Sequence, residues 1–172
     1  MKTKQTSERQ EHPIEPLFSE HSEVLILGSF PSVKSRKDAF FYAHPQNRFW
    51  KIVAGVFDSP VPQSIEEKKE LILSNRLALW DVIASCEIAG SSDSSITGAV
   101  PTDLHRILDH APIRKIFLNG KTAERVYKQY QLPIIGIEAV CLPSTSPANA
   151  SWSFERLLQS WEQIRTAFSD HP

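Results

Sequence analysis

Apolar positions in this chain come in blocks, and the blocks alternate between two periods. Val24 to Leu27 is unbroken in apolar character, as a strand covered on both faces should be, and predicts a first strand over Val24 to Phe30. Leu77 to Ile83, Lys115 to Leu118 and Ala139 to Leu142 repeat that pattern and predict three more. Helical spacing fills the intervals. Phe49, Trp50, Val53 and Val56 put apolar surface on one side of a helix starting at Asn47. Ser64 and Glu67 form an S-x-x-E capping box for a helix running towards Asn75, set off by Pro60 and Pro62. Thr102 is read as the cap of a short helix through His110, Lys121 to Tyr130 as another helix, and Ser151 to Phe168 as the closing one. In the last, Phe154, Leu157, Leu158, Trp161, Ile164 and Phe168 fall on one stripe and read as core. Strands alternating with helices, joined by connections too long for hairpins, predict an α/β fold: a three-layer α/β/α sandwich around a central, mainly parallel four-stranded sheet.

Two stretches fall outside this alternation. Residues 1–22 are polar, carry Pro13 and Pro16, and read as a mobile leader to a single domain over 23–169. His12 and His21 lie in that leader and receive no role. Residues 84–101 read as one long loop, with serines at 91, 92, 94 and 95, of a length that is usually functional or disordered.

Composition narrows the picture only modestly. A chain of 172 residues, 41% hydrophobic and 23% charged, can bury its own core without disulfides or metals. With 19 Lys plus Arg against 20 Asp plus Glu, any contact with nucleic acid has to come from a local patch rather than from overall attraction. Cys86 and Cys141 cannot build a disulfide framework or a four-cysteine metal site within one chain, and they suit a reducing cytoplasm. The N-terminus lacks the apolar core of a signal peptide, and no apolar run has the length of a membrane helix. Asn149-Ala150-Ser151 matches a glycosylation sequon that a cytoplasmic chain would not use.

Candidate chemistry gathers in two loops. The first strand stops at Gly28 and delivers the chain into Ser29-Phe30-Pro31-Ser32, then through Tyr42, Ala43, His44, Pro45, Gln46 and Asn47 to Phe49 and Trp50. Ligands of α/β proteins bind beyond the carboxyl ends of parallel strands. Phe49 and Trp50 are read as core, whereas Tyr42 can stack on a flat ring and His44 and Asn47 offer donor and acceptor atoms. A planar heterocycle is therefore the first ligand to consider. The last strand opens into Leu142-Pro143-Ser144-Thr145-Ser146-Pro147-Ala148-Asn149, whose hydroxyls, feeding a helix start, suit phosphate oxygens. These two loops are expected to meet above the sheet. Lys34, Ser35, Arg36 and Lys37 add a compact basic cluster that reads equally as a solvated run or as a phosphate contact. Gly120-Lys121-Thr122 is no phosphate-binding P-loop, because Lys115 stands where its first glycine belongs, and there is no G-x-G-x-x-G.

Taken together, Gly28-Ser29-Phe30-Pro31-Ser32 with Ala43-His44-Pro45-Gln46-Asn47-Arg48-Phe49-Trp50, and Leu142-Pro143-Ser144-Thr145-Ser146-Pro147-Ala148-Asn149, resemble the two signature motifs of the uracil-DNA glycosylase superfamily. The match is nearest to its hypoxanthine-DNA glycosylase (DNA-deoxyinosine glycosylase) branch. It extends from about Val24 to Ile164 and includes Leu79-Trp80-Asp81-Val82. The first motif is also similar to that of the mismatch-specific uracil-DNA glycosylases. Where those enzymes carry the asparagine that acts on the hydrolytic water, this chain has Phe30, which cannot orient water.

The resemblance implies a monofunctional enzyme of base excision repair. It would flip a deaminated base, hypoxanthine first, out of DNA and hydrolyse the N-glycosidic bond without a metal or organic cofactor. Asn47 is the implied substitute for the missing asparagine: its carbonyl oxygen can accept from water while its amide donates to base or sugar, and it can also cap the following helix. His44 is a candidate donor. Tyr42 would stack on the base, backbone groups at Gly28, Ser29 and Phe30 would read its carbonyl edge, and Phe30 would keep the pocket dry. Ser144, Ser146, Lys34 and Arg36 are placed at phosphates, with Ala148 and Asn149 near the gap left by the flipped base. Lys34 is read as a phosphate contact rather than a Schiff-base lysine, so no strand-cleaving lyase activity is expected. The partner is DNA, double-stranded with a deaminated base or single-stranded, met by a monomer. Three alternatives stay open: a uracil, xanthine or mismatch glycosylase of the same superfamily, a damaged-DNA-binding protein without catalysis, and a small-molecule α/β enzyme.

Overall fold

The computed structural model describes residues 6–168. Its strands in chain order are β1 (Glu8–Glu11), β2 (Val24–Gly28), β3 (Leu77–Asp81), β4 (Ile83–Ile88), β5 (Thr97–Pro101), β6 (Lys115–Asn119) and β7 (Ala139–Leu142). Its α-helices are α1 (Val33–Asp38), α2 (Phe49–Val56), α3 (Ile65–Ser74), α4 (His105–Leu108), α5 (Lys121–Val126), α6 (Leu132–Ile135), α7 (Phe154–Trp161) and α8 (Gln163–Thr166). Among the described residues no helix is long and apolar enough to cross a membrane.

The four predicted strands form one parallel sheet in the order β3-β2-β6-β7, with Val24 level with both Leu77 and Lys115, and Ile116 level with Ala139. This is the expected α/β architecture. Every residue of β2 and β3 is buried, which is why neither shows polar alternation. Both strands end two residues earlier than expected. Beyond them Val82 N–H bonds Gly28 O at 2.8 Å and Ile83 N–H bonds Ser29 O at 3.2 Å, and the chain then leaves the sheet.

A second sheet corrects two expectations. Residues 84–101 are mostly a hairpin: β4 pairs antiparallel with β5 across a 3-10 turn at Asp93–Ser95. The supposed leader supplies β1, which pairs antiparallel with the other edge of β4. Beyond β1, Ile14 is 5% exposed, Trp80 Nε1–H bonds Ile14 O at 3.1 Å, and Leu17 bridges Leu79. The segment from Glu8 onward thus belongs to the folded body. Its attachment is largely backbone pairing to a sheet edge, which a polar sequence can supply without apolar periodicity.

The helices differ in detail from the expectations. α1 lies inside the stretch taken for continuous loop; Ser32 caps it, accepting from Ser35 N–H at 3.2 Å. α3 opens on the predicted box, with Ser64 Oγ accepting from Glu67 N–H at 3.1 Å. Thr102 does not cap α4. Its buried hydroxyl donates to Asp81 O at 2.7 Å and receives Gln131 Nε2–H, while Asp103 Oδ1 accepts from His105 N–H. α5 continues through a π turn, Tyr127–Gln131, into α6, a widening that lets Pro133 enter without breaking the helix. The closing helix starts at Phe154 rather than Ser151 and breaks at Glu162 into α7 and α8. Of its stripe, Leu157, Trp161 and Ile164 are fully buried, whereas Phe154 is 37% exposed.

Ser153 is the actual cap of α7, accepting from Arg156 N–H at 3.2 Å. Ser153→Ala is expected to cost about 1 kcal/mol and to lower Tm by about 3 °C in a thermal melt, with base-release activity unchanged.

Candidate active site

The carboxyl ends of β2, β3, β6 and β7 open into a cleft of about 1110 Å³, walled by the loop after β2, the 91–94 turn, the start of α5 and the loop after β7. The two motif loops meet there as expected, and one side chain joins them. Thr145, fully buried, donates its hydroxyl to Asn47 Oδ1 at 2.8 Å and receives Asn119 Nδ2–H at 3.0 Å. Asn119 Oδ1 in turn accepts from Thr145 N–H at 3.0 Å. Asn47 Oδ1 also accepts from Phe49 N–H at 3.0 Å, so Asn47, one position before the N-cap Arg48, satisfies the first amide of α2. That backbone donor fixes which amide atom is oxygen. Both lone pairs of Oδ1 are therefore spoken for, and what Asn47 can offer the cleft is its Nδ2 donor.

Arg48 staples the loop after β7 from below. Its guanidinium donates to the carbonyls of Trp152, Ser146 and Asn149, and its N–H bonds Thr145 O at 3.1 Å. Within that loop Ser144 Oγ accepts from Ser146 N–H and Ser146 Oγ from Ala148 N–H, while Asn149 Nδ2–H bonds Ser144 O. The amides expected to greet a phosphate are thus partly used to shape the turn, and the hydroxyl protons of Ser144 and Ser146 remain as donors. Gly120, at φ 97°, passes under this loop: a Cβ there would stand 3.1 Å from Ser144 Cβ.

The opposite wall carries Tyr42, Phe30, His44 and Asp93. Tyr42 sits at φ 50°, a conformation that bulky residues adopt at a cost. Its ring stacks on Phe49 at 3.9 Å between centroids and 21° between planes. One face is used by the core and only the other can meet a base. The Tyr42 hydroxyl is buried beside Asp81 with no well-aligned partner; burial, then the Asp81 charge, pushes its pKa far above the phenol range, and the nearby Asn119 side chain opposes the shift. Phe30 is 7% exposed, packed edge-on against His12 and under Arg36. His44 Nδ1 accepts from Gln46 N–H at 3.1 Å, which puts the proton of the neutral ring on Nε2, a donor. Asp93 is exposed to the cleft, yet protein encloses it closely enough to raise its carboxyl pKa. The Ser29 hydroxyl at 3.0 Å from both carboxylate oxygens opposes that shift, and the Asp81 charge reinforces it.

Of the expected phosphate cations, Arg36 is committed elsewhere: it donates to Pro31 O at 2.7 Å and Gly90 O at 3.1 Å, and burial lowers its pKa. It latches α1 to the second sheet. Lys34 is exposed and pairs with Asp38 at 3.1 Å, an interaction weak enough to yield to a phosphate. Sequence reasoning assigned no role to Asn119, Asp81, Asp93 or His12. Asn119 and Asp81 did carry a signal, since each is the polar residue that ends an apolar strand on the side where sites form.

Comparison with known proteins places this geometry. Residues 15–165 match the model of the uracil DNA glycosylase superfamily. A hypoxanthine DNA glycosylase of Methanosarcina acetivorans is 34% identical over 152 residues, covering 86% of this chain and 93% of the relative. One from Methanosarcina barkeri is 32% identical over 139 residues, covering 78% and 85%. A solution NMR structure of a candidate uracil DNA glycosylase from Methanosarcina acetivorans superposes with a TM-score of 0.77 at 32% identity, covering 90% of this chain and 95% of that one. On its fold, its two motif loops and these matches, the chain belongs to the uracil DNA glycosylase superfamily.

Proposed function

We propose that this protein is a monofunctional DNA glycosylase that removes hypoxanthine from duplex DNA, acting as a monomer in the cytoplasm through a single catalytic domain. The observation that carries the reading is the Asn47–Thr145–Asn119 chain of hydrogen bonds, which joins the two motif loops at the mouth of the parallel sheet. The relatives described above are named for hypoxanthine, which favours that base over uracil or xanthine.

A base stacked in the duplex hides its glycosidic bond, so it has to be extruded, at least cost when mispaired. In the cleft it would lie against the open face of Tyr42. The carbonyls of Gly28 and Ser29 are bonded to Val82 and Ile83, so the N–H groups of Ser29 and Phe30 are the ones to read a base carbonyl. As the bond breaks, negative charge gathers on the departing base, and fixed donors stabilise it more in the transition state than before. Asn47 Nδ2 and His44 Nε2 are those donors. Lys34 and the hydroxyls of Ser144 and Ser146 hold phosphates, with Ala148 and Asn149 at the gap in the stack. Lys34 lies on an exposed helix beside Asp38, a setting without the apolar burial that activates a Schiff-base lysine.

The test uses labelled duplexes with one deoxyinosine, deoxyuridine or deoxyxanthosine under single-turnover conditions, followed by alkali. Scission is expected fastest for deoxyinosine and only after alkali. Faster processing of deoxyuridine would reassign the substrate, and nicking before alkali would make the enzyme a lyase. Tight binding with no scission of any duplex would favour the second reading, a damage-binding protein, for which Phe30 in the water-activating position is the specific argument.

A further inference from the structure

Phe30 leaves the loop after β2 without a group to activate water, and the floor of the cleft holds a carboxylate that nothing above uses. We propose that Asp81, positioned by His12, is the general base of the reaction; the inference rests on the glycosylase reading. Asp81 ends β3 level with Gly28, is 4% exposed, and reaches the cleft. His12 Nδ1 accepts from Ile14 N–H at 3.2 Å, which puts the ring proton on Nε2, and Nε2–H donates to Asp81 Oδ2 at 2.7 Å. His12 is wedged edge-on between Phe30 and Trp80, with centroids 6.0 and 6.2 Å away. That arrangement fixes Oδ2 and leaves Oδ1 to face Gly28.

Two further observations converge on the same point. A Cβ on residue 28 would run into Asp81 Oδ1 and stand 2.8 Å from the Tyr42 hydroxyl, so both oxygens address the position that Gly28 keeps clear of side chain. The Tyr42 hydroxyl, buried on the cleft wall with Asn119 beside it, makes no well-aligned hydrogen bond within the protein. A cleft water within reach of both oxygens would accept from Tyr42 O–H and donate to Asp81 Oδ1, the polar pairing that a buried water requires. Asp93, His12 and Tyr42 are the titratable groups facing Asp81, and none brings a competing cation into contact with Oδ1.

The step balances without a co-reactant. The C1′–N9 bond breaks with its electron pair going to the purine, and the water oxygen bonds C1′. The water proton passes to Asp81 Oδ1 and from there, through solvent, to the departing base. The products are an abasic site and free hypoxanthine. His12 acts through Asp81 and is a positioning residue, supplied by a segment that the parallel sheet itself does not contain.

The experiment measures single-turnover base release from a deoxyinosine duplex alongside affinity for a duplex carrying 2′-fluoro-deoxyinosine, which resists cleavage. Asp81→Asn is expected to slow release about 100-fold or more with affinity within about twofold. His12→Ala is expected to slow release about tenfold, and His12→Gln, whose amide reproduces the Nε2 donor, to restore most of it. Tyr42→Phe should slow release about tenfold, because the water loses the donor that holds it beside Asp81. Wild-type release by a folded Asp81→Asn protein would overturn the assignment and leave the glycosylase reading standing. If Asp81→Asn fails to fold, the His12 pair decides: equal losses in His12→Ala and His12→Gln overturn the proposal. Failure of the wild-type protein to release any base overturns both readings.

Discussion

Asn47→Ala is expected to slow hypoxanthine release about 1000-fold in single turnover, the upper range for removing one preorganised donor at a developing charge. The structure explains why so small a truncation should matter. Asn47 Oδ1 is pinned by Phe49 N–H and the Thr145 hydroxyl, so the amide plane is set before substrate arrives and costs nothing to orient during the reaction. Alanine removes Nδ2 from the cleft and also the Oδ1 that accepts from the first amide of α2, a hydrogen bond worth about 1 kcal/mol of stability. The two effects separate by measurement. Affinity for a non-cleavable deoxyinosine duplex should change little, Tm should fall by about 3 °C, and the chemical step should carry the remaining loss. Asn47→Asp is a useful companion, since it keeps both accepting bonds and replaces only the donor. It is expected to keep the bond to Phe49 N–H and still lose the activity. A fully active Asn47→Asp protein would show that the donor is not what matters.

Thr145→Val, close to the native side chain in shape, is expected to be the most damaging change outside direct contact with the base. Its hydroxyl is donor to Asn47 and acceptor from Asn119, and the residue is fully buried. Valine strands Asn119 Nδ2–H without an acceptor and takes one donor from Asn47 Oδ1, a penalty of about 1–3 kcal/mol. A Tm lower by about 5 °C is the expected reading. Release should slow about 10- to 100-fold, because a displacement of about 1 Å at a positioning group is enough for that loss. Thr145→Ser retains the hydroxyl and should recover most of the rate. If Thr145→Val melts lower but reacts at the wild-type rate, the hydrogen-bond chain joins the loops without serving the chemistry.

The parallel sheet was legible because burial on both faces writes itself as solid apolar runs, and Val24 to Leu27 and Leu77 to Trp80 could hardly be anything else. Gly28 and the loop behind it announced the site, whereas Asp81 and Asn119, polar residues closing apolar strands, carried a signal that went unread. The second sheet was hidden for the converse reason. β1 reads Glu-Arg-Gln-Glu and is held to β4 by backbone pairing and by Arg9 reaching Gly98 O and Ser85, none of which leaves a hydrophobic period. β4 is masked by bulges, which break its alternation where the pairing to β5 shifts register. His12 went unassigned with the leader, since its value comes from a partner 69 positions away. Arg36 shows the opposite error. In sequence it is one cation of a basic cluster, and only the fold reveals that carbonyls at 31 and 90 consume it.

On the proposed reading, the two loops joined through Asn47 and Thr145 form a site that cuts the glycosidic bond of a deaminated purine. The most direct measurement is chromatographic identification of the products from a duplex with one deoxyinosine, incubated with excess protein, beside the same duplex carrying deoxyadenosine. Free hypoxanthine, equal in amount to intact strands bearing one abasic site, with no adenine from the control, is the predicted result. Bound deoxyinosine duplex that yields neither hypoxanthine nor abasic strand would contradict it.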